Sequence, residues 1–426
     1  MEKSIQEMPS KREDVDVDEP QGDIQTILSG TRLFLVMFSL TLAVFLMLLD
    51  SSIVATATPK ITSDFHSLND IGWYGTAYLL ANCAFQPLSG KIFTYFSIKA
   101  ERQADLIGFV LFTPAVIMLI LALQRGGTYY PWASPTIIGL FCGAFGNLLV
   151  FLFWEHFRGA EAMIPLSLLA RRVVWSSCLN MGCLIGSVFT TSYYLPVYFQ
   201  SVLGASPVQS GVDMLPQVIT NMVVTIITGP LGKSHGLSLS IEETSGADGF
   251  SVARVGYYVP FALAGAVFTS VGTGLLSTLT PTSTTGSRVG YQILQGFQGL
   301  GFQIPILAVQ HGVQSHEIAV ATSLVVFSQN LSGAVSLSLA EVIFSSRLRH
   351  FLSLYVPGAD VESLTQAGAA AADIQDSVPS ASLPAVRLAY SDTFDNVMYL
   401  ATGFACVTFL SAAAMRWVQI NTRKEA

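Results

Sequence analysis

Asp50 closes an apolar run, Leu33 to Leu49, and is followed by Ser51-Ser52-Ile53-Val54-Ala55-Thr56-Ala57-Thr58-Pro59. A carboxylate near the centre of a membrane segment costs about 2.5–3.5 kcal/mol on insertion scales, so a chain that keeps one needs a partner, a proton or a task for it. Three more carboxylates belong to apolar segments: Asp213 and Asp395 at the starts of two, Glu341 near the outer end of a third. Apolar surroundings disfavour the charged form of a carboxyl, which lets such a group hold and release a proton near neutral pH. Asp50 is therefore the first candidate for proton coupling and Glu341 the second. Asp213 and Asp395 read as solvated interface carboxylates, and the competing reading of Asp50 is a cap or a structural hydrogen bond.

Amides and aromatics supply a possible pathway lining. One segment carries Trp73, Tyr74, Tyr78, Asn82 and Gln86, a second Gln292, Gln295, Gln298 and Gln303, a third Gln329 and Asn330. Amides in hydrocarbon need partners, so they face other helices or a wet cavity. Tyr78, Gln86, Gln303, Gln329 and Asn330 are the candidates for contact with a large, mostly apolar ligand; packing between helices is the plainer reading of each. Gly182 and Gly186 form a GxxxG pair that lets two helices approach closely. Gly229-Pro230, and Gly296, Gly299 and Gly301 with Pro305, favour bends.

Other chemistry is missing from the sequence. There is no Walker sequence, no His/Glu or Cys/His metal spacing, and no nucleophile–base constellation. An enzyme, a metal site, a bound cofactor and a nucleic-acid partner are accordingly not expected. The five cysteines (Cys83, Cys142, Cys178, Cys183, Cys406) lie inside apolar segments and read as small core residues.

The elements that must position these residues are membrane spans. Of 426 residues, 51% are hydrophobic and only 12% charged, about half the charged fraction of an average soluble protein. The expected fold is an all-α polytopic membrane protein. A span needs about 20 apolar residues, and ten segments qualify: 33–57, 71–97, 104–124, 135–157, 174–199, 211–232, 257–280, 288–310, 318–343 and 393–417. An even count puts both termini on one side. With the N-terminus cytosolic, fifteen of the 21 lysines and arginines fall on inner segments, as the positive-inside rule requires. Residues 1–32 read as a disordered cytosolic tail, 33–99 as the first two spans of an N-terminal bundle, and 100–232 as central spans. Residues 233–255 form a polar cytoplasmic insert. Residues 256–417 form a C-terminal bundle with an outer loop at 344–392, in which a short helix is expected near 360–375, and 418–426 form a second cytosolic tail. The expected location is the cell membrane, with the vacuolar membrane as the alternative.

Several motifs carry a family resemblance. Leu49-Asp50-Ser51-Ser52-Ile53-Val54-Ala55-Thr56-Ala57-Thr58-Pro59 and Trp73-Tyr74-Gly75-Thr76-Ala77-Tyr78-Leu79-Leu80 resemble the first two spans of the fungal 14-span drug:proton antiporters of the major facilitator superfamily. The stretch from Gly90-Lys91 to Lys99 resembles that group's cytoplasmic gating loop. Tyr194-Leu195-Pro196-Val197-Tyr198-Phe199-Gln200, Ser210-Gly211-Val212-Asp213-Met214-Leu215-Pro216 and Gly290-Tyr291-Gln292-Ile293-Leu294 are similar to its later spans. The resemblance covers nearly all of residues 33–417 and implies a major facilitator type helix bundle. The implied function is proton-coupled efflux of a small, largely apolar organic compound – a secondary metabolite, toxin or drug – by alternating access. The partners it implies are that compound, protons and the lipid bilayer.

The chain departs from the family pattern twice. Lys99-Ala100 runs almost at once into Ala104-Asp105-Leu106-Ile107-Gly108, which resembles the family's seventh span. Four spans are thus missing and the N-terminal half is incomplete, with the loss of the arginine expected to partner a proton-carrying carboxylate. The family also passes almost directly from Gly229-Pro230-Leu231-Gly232 to Gly256-Tyr257-Tyr258, whereas residues 233–254 intervene here; Gly232-Lys233-Ser234 is compatible with codons containing the intron donor GTAAGT. Two other readings follow: a siderophore or small-solute carrier of the same superfamily, and a non-transporting remnant or scaffold from a truncated gene model.

Overall fold

The computed structural model describes residues 35, 38, 39, 42, 57, 58, 60–62, 65, 71–94, 105–127, 129–159, 162–228, 258–357, 381–415 and 417. Among them the secondary structure is helical, apart from one isolated bridge between Gly126 and Tyr130. Residues 1–50 and 51–426 form separate compact units; Leu35, Phe38, Ser39 and Leu42 of the first are helical. Among its described residues the second unit contains ten longer helices: α1 Ile71–Thr94, α2 Leu106–Arg125, α3 Pro135–Arg158, α4 Arg172–Ser201, α5 Leu215–Thr228, α6 Val259–Leu276, α7 Thr285–Gly296, α8 Ile304–Gly312, α9 Ile318–Tyr355 and α10 Leu383–Ala414.

Local chemistry sets several boundaries. Asp105 caps α2 by accepting from the Gly108 N–H at 2.9 Å. Ser134 caps α3, with Pro135 at the first turn, and Thr284 caps α7. Each supplies an oxygen to an otherwise unpaired first-turn N–H. Gly159 closes α3 at φ 57°, a left-handed value that suits glycine.

Six helices among the described residues are long and apolar enough to cross a membrane: Ile107–Arg125, Pro135–Arg158, Arg172–Ser201, Val259–Leu276, Ser315–Tyr355 and Leu383–Ala414. Their burial inside the protein differs sharply. It reaches 72% over the most apolar window of α4 but only 17% over that of α3. α4 is therefore the central helix, packed against both α9 and α10, and α3 is peripheral. α9 also packs along α1.

Two expected spans are broken. The apolar run at 288–310 divides into α7, a one-turn helix Gly299–Phe302, and α8. The run at 211–232 divides at Met214 into a short helix, Pro207–Asp213, and α5. The breaks at 296–303 follow from three glycines and Pro305, which weaken the helical ladder. They also serve packing, because a Cβ on Gly296 would lie 2.9 Å from the Gln217 carbonyl and one on Gly299 2.8 Å from that of Asn221.

The connection between α9 and α10, expected at 344–392, is shorter than the apolar runs suggested. α9 continues to Tyr355 and α10 already begins at Leu383. Polar residues at 345–350 and 391–396 end the continuous apolar run, but helical periodicity persists. Leu348 and Leu352 stay buried on α9, and Val386, Ala389 and Tyr390 on α10. Asp395 therefore lies three turns inside a helix instead of at its start.

Candidate functional site

The centre of the bundle is built on close α4–α9 packing. A Cβ on Gly182 would lie 2.9 Å from Ser328 Oγ, and one on Gly186 3.1 Å from Ser332 Oγ. The GxxxG pair thus does what its spacing suggests. The Ser328 hydroxyl crosses this contact and donates to the Cys178 carbonyl at 2.6 Å. α1 joins the same seam, where a Cβ on Gly75 would lie 2.7 Å from both Leu337 of α9 and Tyr193 of α4.

Glu341 lies on this seam and is fully buried, 0% exposed. The Tyr194 hydroxyl of α4 donates to Glu341 Oε2 at 3.4 Å. The Tyr194 ring belongs to a chain of aromatic contacts. Tyr194 lies 5.3 Å from Phe344, and Phe344 lies 6.2 Å from Tyr390 of α10. The aromatic contacts thus link α4, α9 and α10, and α9 runs well past Glu341 in both directions. The carboxyl group is interior, where the apolar-run reading had put it near a span end.

The other described candidates differ in burial. Asn330 is buried on α9, Gln86 and Gln329 are half-buried, and Tyr78 and Gln303 are exposed. Gly90 and Lys91 belong to α1; their side-chain environments, and Asp50 and Lys99 altogether, lie outside the described residues, as does the expected helix near 360–375. Gln292, Gln295 and Gln298 are 1% exposed or less. They pack inside the protein, with Gln295 Nε2 donating to Gln298 Oε1 at 3.3 Å and Gln292 Nε2 to the Arg288 carbonyl at 3.2 Å. Asp213 is half-buried and accepts from Gln209 Nε2 at 2.9 Å. Cys142 and Cys406 are exposed, contrary to the core reading of all five cysteines. An apolar segment bathed in lipid has no need to turn its small residues inward.

Sequence reasoning missed three polar constellations at the bundle ends. At one end Arg171 pairs with Glu317, joining the starts of α4 and α9. At that same end Asp105 accepts from Trp154 Nε1 at 3.0 Å, and Glu155 accepts from the Met163 and Ile164 N–H groups at 3.2 and 2.7 Å. Both carboxylates are nearly fully buried, at 3% and 1% exposed. Asp105 was legible as a cap residue just ahead of an apolar run; its pairing with Trp154, 49 positions away, was not.

The third constellation, at the opposite end, is a cavity of about 390 Å³ lined by Trp73, Leu121, Gln124, Arg125, Tyr129 and Tyr130. Gln124 is 5% exposed and its side-chain oxygen has no hydrogen-bond partner. Leaving a buried acceptor without a donor costs about 1–3 kcal/mol.

Comparison with known proteins identifies the bundle. No family model matches the chain. The chain is 34% identical to the MFS-type transporter pigP of Monascus ruber, over 92% of this chain and 87% of that protein. It is 33% identical to the efflux pump mlcE of Penicillium citrinum, over 93% and 92%, and 34% identical to the efflux pump mokI of Monascus pilosus, over 91% and 92%. The first alignment runs over 520 positions against a chain of 426 residues. More than a hundred of those positions therefore hold residues of the relative with none of this chain opposite them. A solved bacterial homologue of the human lysosomal transporter Spinster, inward-facing and unoccupied, aligns at 11% identity and a TM-score of 0.45, over 91% of this chain and 99% of that one. On the sequence relatives, the chain is an integral membrane protein of the major facilitator superfamily, in its group of fungal MFS-type transporters and efflux pumps.

Proposed function

We propose that the chain is a proton-coupled efflux carrier that moves a small, largely apolar organic compound across its membrane by alternating access, with two helix bundles rocking about a midplane site. The observation that carries this reading is the buried Glu341 carboxyl against Tyr194. An ionisable group enclosed by membrane helices marks a proton or substrate path by default. In this reading Glu341 carries the proton, together with Asp50 of the first span. Tyr78, Gln86, Gln303, Gln329 and Asn330 line the substrate path, and Gly90, Lys91 and Lys99 belong to the cytoplasmic gate. Both termini are cytosolic, so Arg125 faces outward and the Arg171–Glu317 pair inward. The cell membrane is the site of action.

A second reading has an observation of its own in favour. The residues of its relative that have no counterpart in this chain fit a non-transporting remnant.

Proton flux in proteoliposomes decides between them. The chain is reconstituted with a trapped pH dye and challenged with rhodamine 6G as an apolar test compound. Dye-dependent proton movement that is lost in Glu341→Gln supports the carrier. Equal flux in wild type and Glu341→Gln removes Glu341 from the mechanism. Absence of flux in folded wild-type protein, over a panel of apolar compounds, favours the remnant.

A further inference from the structure

We infer that the cavity at the Arg125 end is a binding site for a flat aromatic compound that carries a hydrogen-bond donor and an anionic group. Trp73 of α1 and Tyr129 and Tyr130 of the α2–α3 turn supply ring faces, Gln124 supplies an acceptor, and Arg125 a cation. The volume lies within the range of small-molecule sites, which combine apolar and aromatic walls with a few fixed polar groups.

The turn that carries the tyrosines is tightly built. The Tyr129 and Tyr130 N–H groups both donate to the Arg125 carbonyl, at 3.1 and 3.0 Å, and the Gly127 N–H donates to the Tyr130 carbonyl at 2.8 Å. Gly127 adopts φ 76°, in the left-handed region open to glycine. A Cβ on Gly126 would lie 2.5 Å from the Trp132 ring, and Trp132 stacks on Phe141 of α3 at 6.4 Å. These contacts fold the two tyrosines back over the end of α2, beside Gln124 and Arg125.

Two polar groups in the cavity have capacity to spare. The side-chain oxygen of Gln124 is buried without a donor, and the Arg125 side chain has no ion-pair partner among the described residues. A ligand hydroxyl or N–H would satisfy the first and an acidic group the second. Rings offer stacking surface that tolerates many aromatic frameworks. The turn also touches the helix of the candidate proton site, since a Cβ on Gly127 would lie 3.4 Å from Val342, the residue after Glu341. The inference deepens the efflux reading, on whose orientation the cavity lies where exported compound leaves; the binding itself does not depend on transport.

Equilibrium dialysis on the full chain in neutral phosphatidylcholine nanodiscs tests it, with empty nanodiscs as the blank. The probes are 6-hydroxy-2-naphthoate, whose hydroxyl and carboxylate lie at opposite ends of a flat ring system, and the neutral 2-naphthol. Arg125→Gln is expected to weaken naphthoate binding about tenfold and naphthol binding less than about twofold. Gln124→Leu is expected to weaken both about fivefold. Arg125→Lys retains the charge and should restore most of the naphthoate affinity; because Arg125 is exposed, this pair of variants decides the matter even if Gln124→Leu misfolds. Absence of naphthoate binding above the blank, or equal affinity in Arg125→Gln and wild type, overturns the inference. Dialysis involves no flux, so a chain that binds but does not transport would fail the carrier reading alone, and a chain that transports without this binding would fail the cavity alone.

Discussion

Arg171 grips Glu317 with both terminal nitrogens of its guanidinium, Nη1 to Oε2 at 2.6 Å and Nη2 to Oε1 at 2.9 Å. The two residues are the N-caps of α4 and α9, so the pair ties α4 to α9 where the bundle ends. Its side chains are 39% and 19% exposed, which screens the attraction but leaves the two-pronged geometry intact. A double-mutant cycle of Arg171→Ala and Glu317→Ala, read by thermal unfolding in detergent, should give a coupling of about 0.5–1 kcal/mol. Arg171→Lys should lose most of it, because an ammonium cannot make both bonds. A coupling indistinguishable from zero would show the pair to be ornamental.

Tyr194 positions Glu341 through one hydrogen bond. On the carrier reading, Tyr194→Phe should slow proton-coupled flux about 2–10-fold, the effect of losing a neutral donor worth about 0.5–1.5 kcal/mol. Thermal stability should fall much less than for Tyr194→Ala, which also opens the ring contact with Phe344. Unchanged flux in Tyr194→Phe would mean that the bond is structural.

Two glycines provide a matched test of the packing. A Cβ on Gly272 of α6 would lie 2.5 Å from the backbone nitrogen of Gln295, whereas Gly139 of α3 has no neighbour within 4 Å of such an atom. Gly272→Ala should destabilise by about 1–3 kcal/mol through overpacking. Gly139→Ala should be neutral or stabilise by up to about 1 kcal/mol through helix propensity. Melting temperatures of the two purified variants check the contrast, and equal behaviour would contradict the α6–α7 approach.

Glu155 holds the segment after α3 by accepting from Met163 and Ile164. Glu155→Ala should leave two buried N–H groups without acceptors and destabilise by about 2–4 kcal/mol, with Glu155→Gln losing less because one accepting oxygen remains. Limited proteolysis near 159–165 should quicken in the alanine variant first. Resistance equal to wild type would mean that water replaces the carboxylate.

Much of this architecture was legible in the residues, because a bilayer enforces a simple code. Apolar length marked the segments that become α2, α3, α4, α6, α9 and α10, since each must shield its own backbone from lipid. The Gly182/Gly186 spacing foretold a close helix contact, and Gly296, Gly299, Gly301 and Pro305 foretold a bend where the structure goes further and breaks the helix. Family membership was legible from motifs around Asp50, Trp73 and Tyr194, and the relatives bear it out. The true ends of α9 and α10 were not, because an amphipathic turn such as Leu348–Leu352 interrupts an apolar run without interrupting a helix.

Tertiary structure alone decided which polar residues meet. Hydropathy records how apolar a segment is, not which of its faces turns to lipid and which to protein. Hence it could not separate buried Asn330 from exposed Gln303, or core Cys83 from exposed Cys142. Pairs such as Tyr194–Glu341, Asp105–Trp154 and Arg171–Glu317 lie 147, 49 and 146 positions apart. No local rule links such distant positions; helix packing brings them within hydrogen-bond range. The sequence by itself determined that this is a membrane bundle with ionisable residues inside it. Only the packing of α4 against α9 decided that Glu341 is fully buried against Tyr194, because burial is a property of neighbours and not of a residue's own segment.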